Sequence, residues 1–286
     1  MRMREPVEFA SAGPGQETAG AFAHWSSPFL PGLEFTTRSP HVHYYRYHVH
    51  DPLEITWVMS GAVEVVYRDR EWRQECGSAF LVAPREPHAG GRRAGQPFSF
   101  VTMHLPAELL PEVAACAGLD CHRLPVVAMR SAVLPLLEAL MARLQAATSA
   151  TGQVEALAEM LVGFLGNAAG ATILPESDGT GHPAVHRIRE LLDHAYEQEV
   201  AVAELADAVH LHDRYLISLF KTATGIPPHQ YLIARRLELA RRLMSSRQPL
   251  CAVAAATGFT DQSHLTRHFK RTFGVTPGAF QRDFAR

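Results

Sequence analysis

The chain has 286 residues, 47 % of them apolar and 20 % charged, with a formal net charge of −2. At roughly 150 residues per domain that length holds about two domains, and the apolar content excludes a largely disordered chain. The longest uncharged apolar stretch, Met160–Pro175, has 16 residues and is broken by Gly163, Gly166 and Asn167, so neither a bilayer span nor a membrane partner is expected. The N-terminus has no apolar stretch of the secretory kind, and Cys76, Cys116, Cys121 and Cys251 are few and scattered. Both point to a reduced cytoplasmic setting. The small net charge hides an asymmetry. From Ala184 onward there are 14 Arg and Lys against 10 Asp and Glu, and from Arg235 onward 10 against 3, whereas residues 1–183 hold 13 against 19. A basic tail on an acidic body points to a polyanionic partner for the tail.

In chain order, the region from about 20 to 106 comes first. Short aromatic and β-branched runs such as Val63–Tyr67 and Phe80–Val82 are set off by Ser60-Gly61, Arg68-Asp69 and Cys76-Gly77. Closely spaced short strands predict an antiparallel β-barrel or sandwich. Between about 131 and 170 the spacing becomes helical, with Val133, Leu134, Leu137, Leu140, Met141 and Leu144, then Val154, Leu157, Leu161 and Leu165. Residues 176–183, rich in Gly and polar residues, read as a linker, dividing the chain into domains 1–175 and 184–286. The overall expectation is an α+β protein with an N-terminal barrel and an all-α C-terminal half.

The C-terminal half predicts helices starting at Val185, over Val202–Val209, Asp213–Thr222, Gln230–Ser245, Leu250–Thr257 and Asp261–Phe273, and one after Pro277. A repeat lies within it. Leu216-x3-Phe220-Lys221-x3-Gly225-Ile226-x-Pro228 recurs 49 residues later as Leu265-x3-Phe269-Lys270-x3-Gly274-Val275-x-Pro277. Each copy follows a short amphipathic helix and a tight turn, so the unit is a helix-turn-helix built twice. Each position has a physical reason. Ala206 and Ala254 let the helices approach, Gly258 permits left-handed backbone in the second turn, and Leu211 and Phe259 plug the core. Asp213, and Thr260 or Asp261, can cap the second helix of each unit. Leu216/Phe220 and Leu265/Phe269 face inward and leave the other face to a major groove.

With those residues in view, positions 202–284 resemble the DNA-binding domain of AraC/XylS-type bacterial transcription regulators. The segment Gly258–Lys270 followed by Arg-Thr-Phe-Gly-Val-Thr-Pro277 carries most of the likeness, and Arg214–Lys221 with Gly225–Pro228 matches as well. The resemblance implies double-stranded promoter DNA as partner, a homodimer helped by the helices at 131–170, and RNA polymerase as a further partner of an activator. It implies base contacts from Arg214, Ile217 and Ser218 in the first unit and from Gln262, Ser263, Thr266 and Arg267 in the second, with Lys221 and Lys270 beside them. Two departures matter. His210 stands where the family has Gly, and Ile217 offers no hydrogen bond, so it would meet at most a thymine methyl.

The N-terminal half is similar to a cupin. His48-x-His50-x3-Glu54-x6-Gly61 resembles the first cupin motif, and Gly77-x10-His88 partly resembles the second, with Arg85 where that motif has Gly. In a cupin, His48, His50, Glu54 and His88 would hold iron or manganese, which makes a metal-dependent enzyme (a dioxygenase or an isomerase) the alternative function. The expectation here is different: no catalytic residue, cofactor or resident metal is assigned. Those four residues are expected to serve as polar groups in an apolar pocket for a small-molecule effector, with Tyr45, Tyr47, Trp57 and Tyr67 available for its walls. Cys116-x4-Cys121-His122 lacks the partner pair of a zinc site, and Gly90-Gly91-Arg92-Arg93 lacks the Lys and Ser/Thr of a phosphate loop.

Overall fold

A computed structural model describes residues 21–283 apart from 42, 69, 92–96, 126, 167–170 and 175–180. Most of the expected linker, 176–183, lies outside the described residues. The N-terminal half holds two antiparallel sheets. β1 (Ala21–Ser26), β2 (Glu34–His41), β9 (Phe98–Leu105), β4 (Leu53–Ser60), β7 (Ala79–Val82), β10 (Val127–Arg130) and β11 (Ala171–Leu174) form the larger sheet, in that order. β3 (Tyr44–His48), β8 (His88–Gly91), β5 (Ala62–Tyr67) and β6 (Arg70–Glu75) form the smaller. The turn signals fall where the chain reverses: Gly61, Arg68 and Gly77 all have positive φ. β10 and β11 extend the sheet beyond residue 106, where the sequence pattern shows no strand: each is four residues long and flanks helices.

The larger sheet carries a core on each face. Between the sheets lie Val58, Val63, Val65, Tyr67, Phe80, Val82, Phe98 and Met129. On the outer face of the larger sheet, Leu53, Ile55, Trp57, Val101 and Met103 pack against α1 (Leu110–Cys116), α2 (Leu134–Ala146) and α3 (Ala150–Leu165) through Val113, Leu137, Leu140, Leu157 and Leu161. β4 is therefore buried on both faces, and the parity of its residues decides their surroundings: 53, 55 and 57 face the helices, while 54, 56 and 58 face the space between the sheets.

The C-terminal half is built on α7 (Pro228–Ser245), whose start is set by proline in its first turn. Its first half, through Tyr231, Leu232 and Ala234, joins a core with α4 (Pro183–His194), α5 (Val202–Asp207) and α6 (Asp213–Thr224). Its second half, through Leu237, Ala240 and Met244, joins a separate core with α8 (Leu250–Ala256), α9 (Gln262–Phe273) and α10 (Pro277–Asp283). Leu216, Phe220, Leu265 and Phe269 are all fully buried, as the repeat requires. α6 and α9 each end on a left-handed glycine, Gly225 and Gly274.

The caps of the second helix in each unit differ from expectation in one place. Asp261 caps α9 by accepting from the His264 amide at 2.7 Å. In the first unit the cap is His212, whose Nδ1 accepts from the Arg214 amide at 3.4 Å, and Asp213 lies one residue inside. Imidazole is not a usual cap, so its role had no sequence signal. His210 occupies the turn with φ 55°, the conformation Gly258 adopts at φ 72°. A left-handed non-glycine residue costs about 1–2 kcal/mol, partly offset by the extra freedom glycine has when unfolded. His210→Gly is therefore expected to stabilise the chain by about 0.5–1 kcal/mol in denaturant unfolding, and His210→Val to destabilise it. No helix among the described residues is long and apolar enough to cross a membrane.

Candidate functional site

Two features carry chemistry: a cavity between the sheets and the outer faces of α6 and α9. Strand register builds the first. His48 lies opposite His88 across β3 and β8, and Glu54 lies opposite His104 across β4 and β9. His50, in the crossing from β3 to β4, sits between the two pairs. Its ring centroid lies 4.8 Å from that of His48, 5.4 Å from that of His88 and 5.3 Å from that of His104. Glu54 binds this group as an anion: its carboxylate lies 2.9 Å from His50 Nε2, 3.5 Å from His104 Nε2 and 3.9 Å from His88 Nε2, and it accepts from the Thr56 hydroxyl at 3.1 Å.

The protonation states follow from this packing. Burial holds His48, His88 and His104 below the ordinary imidazole range. Burial acts on His50 in the same direction, but Glu54 and Glu238 outweigh it and push it up to about 9. Burial would raise Glu54, yet the neighbouring imidazoles, His50 foremost, hold it well below the usual carboxylate range.

The cavity measures about 140 Å³ and has a polar end and an apolar end. His48, His50, Glu54, His88 and His104 form the polar end, and Val63, Phe80, Phe98 and Phe100 form walls, with Tyr45 also lining it. Its remaining wall comes from the C-terminal half, as Arg241 of α7, Phe273 of α9 and Phe280 of α10. Against expectation, Trp57 does not line the cavity: its odd parity on β4 turns it into the core against the helices, where its indole nitrogen is buried without a hydrogen-bond partner. Tyr67 lies in the core between the sheets and donates to Glu86 at 3.0 Å, and Tyr47 packs toward the C-terminal half and donates to the Arg68 carbonyl. Sequence reading missed His104, because it belongs to no motif, and it missed the three residues from the other half.

Ion pairs hold the two halves together. Asp51 accepts from Arg235 at 2.6 Å, from Arg242 at 2.8 Å and from Arg85 at 3.2 Å. Arg189 donates to Glu86 at 2.7 Å across the halves, whereas fully buried Glu238 pairs within α7 with Arg241 at 2.8 and 2.9 Å. Val49 completes the core of the first helix-turn-helix unit. Asp51→Asn removes the charge that faces largely buried Arg235. It is expected to cost about 1–3 kcal/mol in denaturant unfolding and to separate the transitions of the two halves.

The second feature is exposed and cationic. α6 presents Arg214, Ile217, Ser218 and Lys221 to solvent, and α9 presents Gln262, Ser263, Arg267 and Lys270, with Thr266 half-buried among them. Tyr215, 54 % exposed, and Arg271 share these faces and were missed; Tyr215 broke the apolar-inside rule and Arg271 lies past the matched positions. Cys116, Cys121 and His122 form no ligand cluster among the described residues.

Residues 205–283 match the model of a helix-turn-helix domain, and residues 30–162 match the model of an AraC-like ligand binding domain. The chain belongs to the AraC/XylS-type regulators. Among its relatives, the probable transcriptional regulator LumQ of Photobacterium leiognathi is 40 % identical over 96 residues, covering 32 % of this chain and 39 % of LumQ. The HTH-type transcriptional activator RhaS of Pectobacterium carotovorum is 34 % identical over 103 residues, covering 36 % of this chain and 37 % of RhaS. The match thus spans under two fifths of each of these relatives. A structure of ToxT from Vibrio cholerae with bound unsaturated fatty acid superposes with a TM-score of 0.61 at 13 % identity, covering 88 % of this chain and 96 % of that one. That likeness shows a shared two-domain fold. These matches lend no support to the cupin-enzyme alternative: the models describe a helix-turn-helix domain and an AraC-like ligand binding domain, and the named relatives are transcriptional regulators.

Proposed function

We propose that the chain binds double-stranded promoter DNA through α6 and α9, and that a small molecule held in the cavity sets that binding. One observation carries the reading: α9 bears Arg267 and Lys270 on its outer face and Phe273 in the cavity wall. An occupant of the cavity therefore touches the same helix that would lie in the groove. Such a ligand shifts the protein only by the difference in its affinity for two placements of the C-terminal half. A cavity with a polar end and phenylalanine walls suits a small amphipathic molecule. The fatty acid in the ToxT structure is of that chemical kind.

We further propose a homodimer, whose second copy raises affinity by tethering. α3 supports this, since it packs on the sheet yet leaves Val162 45 % exposed. An activator would also touch RNA polymerase. The test is binding of the full chain to DNA upstream of its own gene, with and without amphipathic metabolites. A ligand-dependent change in affinity that Phe273→Ala removes is expected. DNA binding indifferent to every such ligand would refute the cavity's role.

A further inference from the structure

We infer that β3 and its flanks brace both reading helices from behind, with His43 and Tyr47 as positioning residues that fix how α9 and α6 stand toward each other. The inference rests on the reading of α6 and α9 as the DNA-binding helices and goes beyond it, because it assigns part of that task to the N-terminal half. The two helix-turn-helix units have separate cores, joined along α7. Two helices that enter successive grooves at a set spacing need both units held in one arrangement. α7 supplies one support. β3 supplies a second, as an edge strand of the smaller sheet that pairs with β8.

The same segment meets the same point of each unit. At the second unit, His43 packs on Gly274, the left-handed residue that ends α9: a Cβ there would lie 2.6 Å from the imidazole. His43 Nε2 donates to the Thr272 carbonyl at 3.1 Å. Thr272 lies in the last turn of α9, where helix carbonyls run out of donors within the helix, so the N-terminal half caps α9 from outside. At the first unit, Tyr47 and Val49 enter the core that holds Leu216 and Phe220. The Tyr47 hydroxyl donates to the Arg68 carbonyl. A Cβ on Gly225, which ends α6, would lie 2.6 Å from Arg68 Cα and 3.2 Å from that hydroxyl. Left-handed backbone alone calls for glycine at both helix ends, but it does not require the other half of the protein to lie against them.

Docking leaves the reading faces open. Arg214, Ser218 and Lys221 of α6 and Gln262, Arg267 and Lys270 of α9 stay exposed with the halves in contact. The segment holds the helices by their C-terminal ends and covers none of these side chains. Its effect is therefore preorganisation: the spacing of the two faces is set before DNA arrives, and less ordering remains to be done on binding. Tyr45 and His48 of the same strand line the cavity, so an occupant bears on the brace directly.

The test uses the full chain carrying His43→Ala, His43→Gln or Tyr47→Phe, each checked for folding by circular dichroism. Amide hydrogen exchange is followed without DNA, and affinity is measured on DNA upstream of the chain's own gene. His43→Ala should speed exchange over 270–276 by at least about fivefold and leave 221–226 unchanged, and Tyr47→Phe should do the converse. His43→Ala should weaken binding to the upstream DNA by about 3- to 10-fold. It should also tolerate one base pair inserted between the two groove segments better than the wild type does. His43→Gln, whose amide N–H reaches where Nε2 stands, should restore exchange and binding together. Unchanged exchange at either helix end, an equal loss of affinity on both spacings, no rescue by glutamine, or binding at least as tight as the wild type's would each overturn the inference. A wild type with no preference for the upstream DNA would remove the DNA reading instead, and exchange would still decide whether the strand holds the helix ends.

Discussion

Phe269→Ala is expected to cost about 3–5 kcal/mol of stability, the range for truncating a fully buried aromatic side chain. Phe269 is fully buried in α9, with its ring centroid 4.6 Å from Phe273 and 5.4 Å from Phe280. It is the inward anchor of the second helix-turn-helix unit, and its two neighbours line the cavity. The variant should therefore lose promoter affinity and ligand response together. Denaturant unfolding followed by circular dichroism measures the cost. A loss below about 1 kcal/mol would mean that α9 does not pack as described.

Arg267→Ala is expected to weaken binding to the specific site by about 1–3 kcal/mol, or roughly 5- to 150-fold, and to relax selectivity at one base pair. Arg267 is exposed and lies between the inward Leu265 and Phe269, so its guanidinium leaves the helix on the groove side. Guanine offers two acceptors at a spacing that a guanidinium fork fits. Lys270, one turn on, is placed for phosphate. Lys270→Ala should weaken all sequences alike and reduce the salt slope by about one. Fluorescence anisotropy against salt, on cognate and scrambled duplexes, separates the two effects. Arg267→Ala binding like the wild type would remove this helix from the groove.

The C-terminal half was legible because its determinants are local. Leu216, Phe220, Leu265 and Phe269 recur at helical spacing, Gly225 and Gly274 end their helices, and Pro228 starts α7. Each signal acts within a few residues. The cavity depends on pairings between distant strands, which periodicity does not fix. Glu54 and Trp57 look equally available in the sequence, and only the parity of β4 sends one into the cavity and the other to the helices. His104 joins the cluster because β9 pairs with β4 in a register that sets it opposite Glu54. Arg241, Phe273 and Phe280 reach the cavity only because the halves dock, through contacts such as Asp51 with Arg235 that no motif encodes.

The central claim is that α6 and α9 read DNA together from one rigid support, α7. Footprinting the full chain on DNA upstream of its own gene tests it most directly. The account predicts protection of two major-groove segments about 10 base pairs apart on one face of the duplex, one lost in Arg214→Ala and the other in Arg267→Ala. Protection no stronger than on random DNA, or a footprint unchanged in both variants, would contradict it.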